Sequence, residues 1–197
     1  MHPILLESFA LIDREVGSHS FSAAEYAIVR RVIHSTADFE FKSLIVFSPG
    51  AIDQGIAALR AGRPVVVDVG MVWQGVQGQV TRCLGNPVVN GLTWAEAVSP
   101  GQTRSAAGLL AAMMAHPGAV VAIGNAPTAL LALCEAWPSL AEPPALVIGA
   151  PVGFVGVLEA KAALARLPIP QIRVTGRKGG SPVAAAIVNA LVDLAAA

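Results

Sequence analysis

The chain has 197 residues, of which 54% are hydrophobic and 13% charged, and 13 lysines and arginines balance 13 aspartates and glutamates. This length suits one domain with a substantial core, so residues 1–197 are predicted to form a single domain. The balanced charge argues against a nucleic-acid-binding surface, and the apolar excess predicts a subunit interface in addition to the core. A small ligand is the favoured partner.

Secretion, membrane insertion and cysteine-based sites are also disfavoured. Cys83 and Cys134 lack the CxxC spacing of a zinc or redox site, so they are interpreted as packing or incidental thiols of a cytosolic protein. Residues 1–7 have no basic region typical of a signal peptide. The apolar tract 106–137 is broken by glycines and prolines before it reaches the ~18 residues of a membrane span. We therefore expect a cytoplasmic protein that does not bind membranes.

The first clear element along the chain is a helix that carries a histidine near its end. Ser22 stands three residues before Glu25, which is the spacing of a capping box, so the helix is predicted to begin near Ala23. Apolar residues then recur at helical spacing and carry the helix to about His34. Hydroxyl and carboxylate side chains follow directly, which makes His34 the leading candidate for a functional residue.

After residue 43, short apolar runs alternate with helical stretches. The predicted strands are residues 44–47, 65–67, 119–123, 145–148 and 172–174, and the helical stretches are residues 51–61, 104–115, 127–136, 154–166 and 182–196. This alternation predicts a three-layer α/β/α fold with a mainly parallel sheet of about five strands. Residues 81–102 have little pattern and are interpreted as an excursion.

Glycine and proline recur where the predicted strands end, at residues 48–50, 68–71, 124–128, 149–153 and 176–181. Ligands of parallel sheets bind at the carboxyl ends of strands, where helix amino ends also attract anions. Arg177 and Lys178 lie in the last of these segments, and Arg104 follows Thr103 at a predicted helix start. Tight turns and solvated charges explain any single segment, but five together favour a cationic, glycine-lined site.

The usual fingerprints of other ligand classes are missing. No GxGxxG follows the first strand and no GxxxxGK[ST] is present, which disfavours dinucleotide and nucleoside-triphosphate sites. No GxSxG elbow indicates a hydrolase. The four histidines have no paired ligand spacing, so no metal site is expected. Spacing alone leaves the ligand unidentified.

A set of motifs, in order along nearly the whole chain, resembles the precorrin-8X methylmutases of cobalamin biosynthesis. The motifs are VIHSTADF at 32–39, TRSAA at 103–107, GNAPTAL at 124–130, GAPVGFVG at 149–156 with Glu159 and Lys161, and GRKGGS at 176–181. The resemblance implies an isomerase that moves a methyl group from C-11 to C-12 of precorrin-8X or cobalt-precorrin-8, giving hydrogenobyrinate or cobyrinate. It also implies a homodimer with sites near the subunit interface and no organic cofactor.

The resemblance further implies roles for particular residues. His34 matches the histidine to which the family assigns proton donation to the tetrapyrrole, and a positioned acid can lower the barrier of such a rearrangement. Arg104 matches a substrate-contacting arginine, and Ser8 matches an active-site serine, although a serine ahead of a helix is often only a cap. The other expected substrate-binding residues are Asn125, Thr128, Gly153, Arg177 and Lys178.

The charge state of His34 stays open at this level. Asp38, Glu40 and the helix carboxyl end favour a protonated imidazole, whereas Arg30 and Arg31 oppose it.

Several functional alternatives stay open as well. The main one is a non-catalytic corrinoid-binding or carrier protein of the same fold; an unrelated anion-binding regulator or nucleotide enzyme is a further competitor. Asp68 either orients a partner or caps a loop. The match to the family is poor over residues 73–89, and the sequence does not reveal whether the substrate contains cobalt.

Overall fold

The computed structural model describes residues 3–96 and 98–197. Its helices are α1 (Pro3–Val16), α2 (Ala23–Thr36), α3 (Phe41–Leu44), α4 (Ala51–Arg60), α5 (Gly70–Cys83), α6 (Arg104–Ala115), α7 (Pro127–Ala136), α8 (Val157–Ala165) and α9 (Ser181–Ala196). Its strands are β1 (Ile45–Phe47), β2 (Val65–Val67), β3 (Val88–Asn90), β4 (Val120–Ile123), β5 (Leu146–Gly149) and β6 (Gln171–Val174). Short 3₁₀ turns cover Gly91–Trp94 and Trp137–Ser139.

The strands form a sheet in the order β1-β6-β5-β4-β2-β3, with helices on both faces. Val65 and Val67 point into the layer that contains α1, α2, α4, α5 and α9, while Val66 points into the layer of α6, α7 and α8. Strands that are apolar on both faces suit a sheet covered on both sides. The predicted α/β/α class is therefore confirmed.

The prediction that five strand ends lie at one edge of the sheet is wrong for β1, because this strand runs in the opposite direction. β1 runs antiparallel to β6, with Phe47 opposite Ile172, whereas β2 to β6 are mutually parallel. Ser48 consequently lies beside Gln171, at the amino end of β6, where its backbone N–H donates to the Gln171 carbonyl at 2.9 Å. The segment 48–50 is thus at the opposite edge of the sheet, and only four of the five predicted segments share the carboxyl edge.

Helix α9 organises the first layer, because it packs against α2, α4 and α5. Eleven of its side chains are buried, including Ile187 and Leu191, which is typical of a helix enclosed on most sides. Its amino end follows the β6 exit directly, so α9 starts at the carboxyl edge of the sheet. Helix α2, which carries His34, is thereby held next to that edge.

Four elements are absent from the sequence predictions: α1, α3, α5 and β3. The signal for α1 was present, since Leu5, Phe9, Ile12 and Val16 recur at helical spacing. Strand β3 lies within the supposed excursion 81–102 and adds a sixth strand at the sheet edge. Within the described residues, no helix is long and apolar enough to cross a membrane.

Candidate active site

His34 and Ser8 meet where α1 packs against the end of α2. Ser8 Oγ and His34 Nδ1 are 2.9 Å apart, and the Phe9 ring stands edge-on to the imidazole with centroids 5.4 Å apart. Ser8 lies inside α1, so the interpretation of it as a cap ahead of a helix is wrong. No described residue hydrogen-bonds His34 Nε2, which leaves this nitrogen available to a ligand.

The last turn of α2 is closed in a way that exposes the imidazole. The capping box at Ser22 and Glu25 is confirmed, with Ser22 N donating to Glu25 Oε2 at 2.8 Å. At the other end Ala37 adopts the left-handed conformation, with φ of 52°, and donates to the Ile33 carbonyl. This cap ends α2 at Thr36, and His34 therefore projects from its final turn.

Asp13 fastens α1 to α2 and so determines where Ser8 lies. Its carboxylate accepts from Tyr26 Oη at 2.6 Å and from Arg30 Nη1 at 3.0 Å. The Arg30 guanidinium also stacks on the Phe9 ring, with Cζ 4.3 Å from the centroid. Burial together with the bond to Asp13 raises the pKa of Tyr26 to about 12.

We expect Asp13→Ala to lower the pKa of Tyr26 from about 12 towards its ordinary value of about 10. Tyr26 is the single tyrosine of the sequence, so its ultraviolet absorbance reports this titration directly. In the wild type, the contribution of Tyr26 to stability is fully present below pH ~10 and is lost as the pH rises towards ~12, because the tyrosine of the unfolded chain ionises at the lower pH. Glu15→Ala, on the exposed side of α1, is the control; wild-type Tyr26 titrating near its ordinary pKa would contradict this arrangement.

A cleft of about 300 Å³ opens beside His34, between α1, α2 and the amino half of α9. It is mainly apolar, and its lining includes Leu5, Phe9, Arg31, His34, Pro182 and Ala186. A mainly apolar pocket with a few polar groups is typical of small-molecule sites. The cleft can therefore receive the apolar edge of a ligand against the imidazole.

The charged residues around His34 are paired with one another. Arg31 forms an ion pair with Asp193 and also donates to Gln79 Oε1 at 2.8 Å. Lys178 Nζ lies 2.5 Å from Asp38 Oδ2 and 2.7 Å from Glu40 Oε2. The Lys178 ammonium lowers the pKa of Asp38, chiefly through this hydrogen bond. The acidic and basic side chains that the sequence places near His34 are thus each paired with another residue.

The β6 exit, residues 175–180, adjoins this cleft. Gly179 has φ of 153°, and a Cβ there would lie 2.4 Å from the Ala150 carbonyl oxygen, so a larger residue cannot occupy this position without movement. Gly180 N donates to the same carbonyl at 2.8 Å, and Gly153 N donates to the Arg177 carbonyl at 3.3 Å. Gly153 and Arg177 are therefore brought together, and the β5 and β6 exits form one surface.

Lys161 of α8 lies beneath the β6 exit and is a residue to which the sequence reasoning gave no function. Its side chain is buried, and Nζ donates to the carbonyls of Gly176 and Lys178 at 2.7 Å each. Burial lowers the pKa of Lys161 to about 8. Among the described residues it forms no ion pair.

Asp68 holds the β4 exit, which settles its role as a loop cap. Its buried carboxylate accepts backbone N–H groups from Gly124 at 3.0 Å, Asn125 at 2.8 Å and Ala126 at 2.8 Å. Burial raises the pKa of Asp68, and the three N–H donors act in the opposite direction. Asn125 itself is exposed, so its amide is free to contact a ligand.

Arg104 and Thr128 lie on the other helical layer, at the amino ends of α6 and α7. Thr103 Oγ1 caps α6 and lies 2.8 Å from Thr128 Oγ1, which joins the two helix starts. A cleft of about 670 Å³ borders Thr103 and Thr128. Arg104 is exposed, and within the described part of the chain neither it nor Arg177 has an ion-pair partner.

The predicted residues therefore fall into two groups. Ser8, His34, Gly153, Arg177 and Lys178 surround the α9 start, whereas Arg104 and Thr128 lie across the sheet. Asn125 stands between them, because Gly124 packs against Ser181 and Ala184 of α9. Phe9 and Lys161 were missed; helical periodicity indicates Phe9, but nothing in the sequence indicates the buried state of Lys161. For metal ions, no group of three or more acidic, histidine or cysteine side chains was found among the described residues.

Comparison with known proteins identifies the family. The family model described as CbiC, precorrin-8X methylmutase, matches residues 3–194. The cobalt-precorrin-8 methylmutase of Synechocystis sp. is 56% identical, over 98% of this chain and 96% of the relative. The precorrin-8X methylmutase of Sinorhizobium sp. is 42% identical, over 93% of this chain and 90% of the relative.

A solved structure agrees with these sequence relatives. The crystal structure of the precorrin-8X methylmutase from Thermus thermophilus has a TM-score of 0.90 and 47% identity, covering 99% of this chain and 98% of its own. These relatives are methylmutases, which are isomerases, and they give no support to a non-catalytic carrier. Their likeness extends over almost the whole sequence and the whole α/β/α fold, and this chain belongs to the precorrin-8X methylmutase family.

Proposed function

We propose that this chain moves the methyl group of precorrin-8X or cobalt-precorrin-8 from C-11 to C-12, with His34 as the proton donor. The observation that carries the proposal is the contact of 2.9 Å between Ser8 Oγ and His34 Nδ1 at the mouth of an apolar cleft. Ser8 fixes the orientation of the ring through Nδ1. Nε2 is then the nitrogen that faces the substrate.

The chemistry requires an acid rather than a nucleophile. The bond between C-11 and the methyl carbon breaks as the bond to C-12 forms, within one conjugated molecule. A proton or hydrogen bond given to a ring nitrogen draws electron density from the conjugated system, which lowers the barrier to this shift. The imidazole of His34 carries two ring nitrogens, and as a general acid it gives the proton to the substrate and takes it back after the shift.

The carboxylate arms of the substrate are assigned to the arginines. Arg177 and Arg104 are exposed cations without ion-pair partners among the described residues, and guanidinium groups bind carboxylates in bidentate geometry. Lys178 is a weaker candidate than predicted, because Asp38 and Glu40 already engage its ammonium. Asn125, Thr128 and the Gly153 backbone are proposed as further polar contacts.

We also propose that the enzyme is a cytoplasmic homodimer built from one domain per chain. A cleft of about 300 Å³ is at the lower end of ligand pockets and encloses only part of a tetrapyrrole. Phe154 and Val155 are 87% and 89% exposed next to the β5 exit, which supports burial against a second copy. Equilibrium sedimentation would return the mass of a monomer if this proposal were wrong.

The cobalt-containing substrate is proposed as the favoured form, because the Synechocystis sp. relative, at 56% identity, is a cobalt-precorrin-8 methylmutase.

The experiment that tests the proposed function is a single-turnover assay with precorrin-8X and cobalt-precorrin-8 side by side. Methyl migration changes the conjugation of the ring, so the visible spectrum follows it. We expect conversion of both, with the faster single-turnover rate for the cobalt form. Stoichiometric binding of both substrates without any conversion would contradict the assignment of an enzyme.

A further inference from the structure

We propose that Lys161 is a positioning residue for the methylmutase reaction, whose ammonium fixes the backbone on both sides of Arg177 so that the guanidinium meets a substrate carboxylate. The inference rests on the proposed function, because it assumes that Arg177 binds the tetrapyrrole. It concerns a residue of α8 that does not itself touch the His34 cleft.

Both hydrogen bonds of the Lys161 ammonium go to the turn that contains Arg177. Lys161 Nζ lies 2.7 Å from the carbonyl oxygen of Gly176 and 2.7 Å from that of Lys178, the residues directly before and after Arg177. The remaining carbonyl, that of Arg177, accepts from Gly153 N at 3.3 Å. All three consecutive carbonyls are thus turned towards the protein, while the Arg177 side chain is exposed.

The turn lies at the surface, because Gly176, Arg177 and Lys178 are exposed residues, and its carbonyls would bond to water if they were turned outward. The chain instead buries Lys161, which is 5% exposed, and among the described residues its ammonium has only backbone carbonyls as partners. Burying a charge without a counter-ion is costly, and the lowered pKa of Lys161 reflects that cost.

The buried ammonium holds the turn in a single conformation. Hydrogen bonds that involve a charged group are stronger and shorter than neutral ones, and two of them bracket Arg177. Gly180 N anchors the end of the turn to the Ala150 carbonyl at 2.8 Å. Without Lys161, the peptide groups of residues 176–178 can rotate. The Arg177 backbone then no longer holds the guanidinium in one position.

The test compares Lys161→Met, which keeps the length of the side chain and removes the donors, with the wild type. A misplaced Arg177 weakens substrate binding in the ground state and transition state alike, so we expect KM to rise about 10-fold with kcat nearly unchanged. Arg60→Met is the matched control. Arg60 also donates to backbone carbonyls, of Ala195 and Leu194, but at the far end of α9.

A double-mutant comparison separates positioning from a general structural role. In the Arg177→Ala background, Lys161→Met is expected to add no further rise in KM, because its effect passes through Arg177. An unchanged KM in Lys161→Met, a fall in kcat alone, or the same rise in the Arg177→Ala background would each overturn the inference. Lys161→Gln, which keeps an amide donor, provides the same comparison with a smaller expected rise if the Met variant does not fold.

Wild-type turnover is measured in the same assay. Its absence would overturn the proposed function and this inference together. Normal wild-type turnover with an unaffected Lys161→Met variant would overturn only the inference.

Discussion

Replacing His34 with alanine is expected to lower kcat by roughly 10²- to 10⁴-fold, the usual contribution of a positioned acid. Tetrapyrrole affinity should change little, because the imidazole is one of several groups around an apolar cleft. Single-turnover kinetics give the rate of methyl migration, and a titration of visible absorbance gives the affinity. Turnover retained at the wild-type rate would rule out His34 as the proton donor.

His116→Ala is the matched control for this variant. His116 follows α6, just before β4, and its ring stands edge-on to Trp94 at 5.4 Å, so it lies at the opposite edge of the sheet. The control removes an imidazole of similar packing without approaching the site. An equal loss of turnover in both variants would show that the His34 effect arises from general damage to the fold.

Replacing Asp68 with alanine is expected to reduce the free energy of unfolding by about 2–5 kcal/mol, because each buried N–H left without an acceptor costs about 1–3 kcal/mol and removal of the desolvated carboxylate offsets part of the sum. Three such groups, at Gly124, Asn125 and Ala126, lose their acceptor together. Urea denaturation measures the change in the free energy of unfolding. Turnover should also fall, since the freed β4 exit carries Asn125.

Asp53→Ala serves as the control, since Asp53 is an exposed aspartate in the first turn of α4. Its carboxylate interacts mainly with the helix dipole, so its loss should cost less than about 1 kcal/mol. If Asp68→Ala were no more destabilising than Asp53→Ala, the carboxylate would not be the group that holds the β4 exit.

The secondary-structure elements that were predicted correctly are those whose sequence signals are local. The capping box at Ser22 and Glu25 specifies the start of α2 because its partners are three residues apart, and this start at Ala23 was predicted correctly. The bounds of α6 and α7 were likewise correct, since a threonine cap and an initial proline mark them locally. Strand β2 was predicted from three valines that are buried on both sides.

The errors have equally specific causes. Helix α5 carries Val72, Val76 and Val80 at helical spacing, but Gly75 and Gly78 between them weaken the local helix signal. In the structure a Cβ on Gly75 would lie 2.9 Å from that of Ala185, so a glycine there allows α5 to approach α9 closely. That reason is tertiary, and no local pattern contains it.

The sequence by itself determined the alternation of strands and helices, the glycine-rich strand exits and the histidine at the end of α2, because each depends on residues close together in the chain. Only the tertiary structure decided that β1 runs antiparallel, that Ser8 meets His34 from 26 positions away, and that Asp68 and Lys161 each hold a strand exit. These contacts join distant segments, and whether a carboxylate or an ammonium is buried depends on everything packed around it.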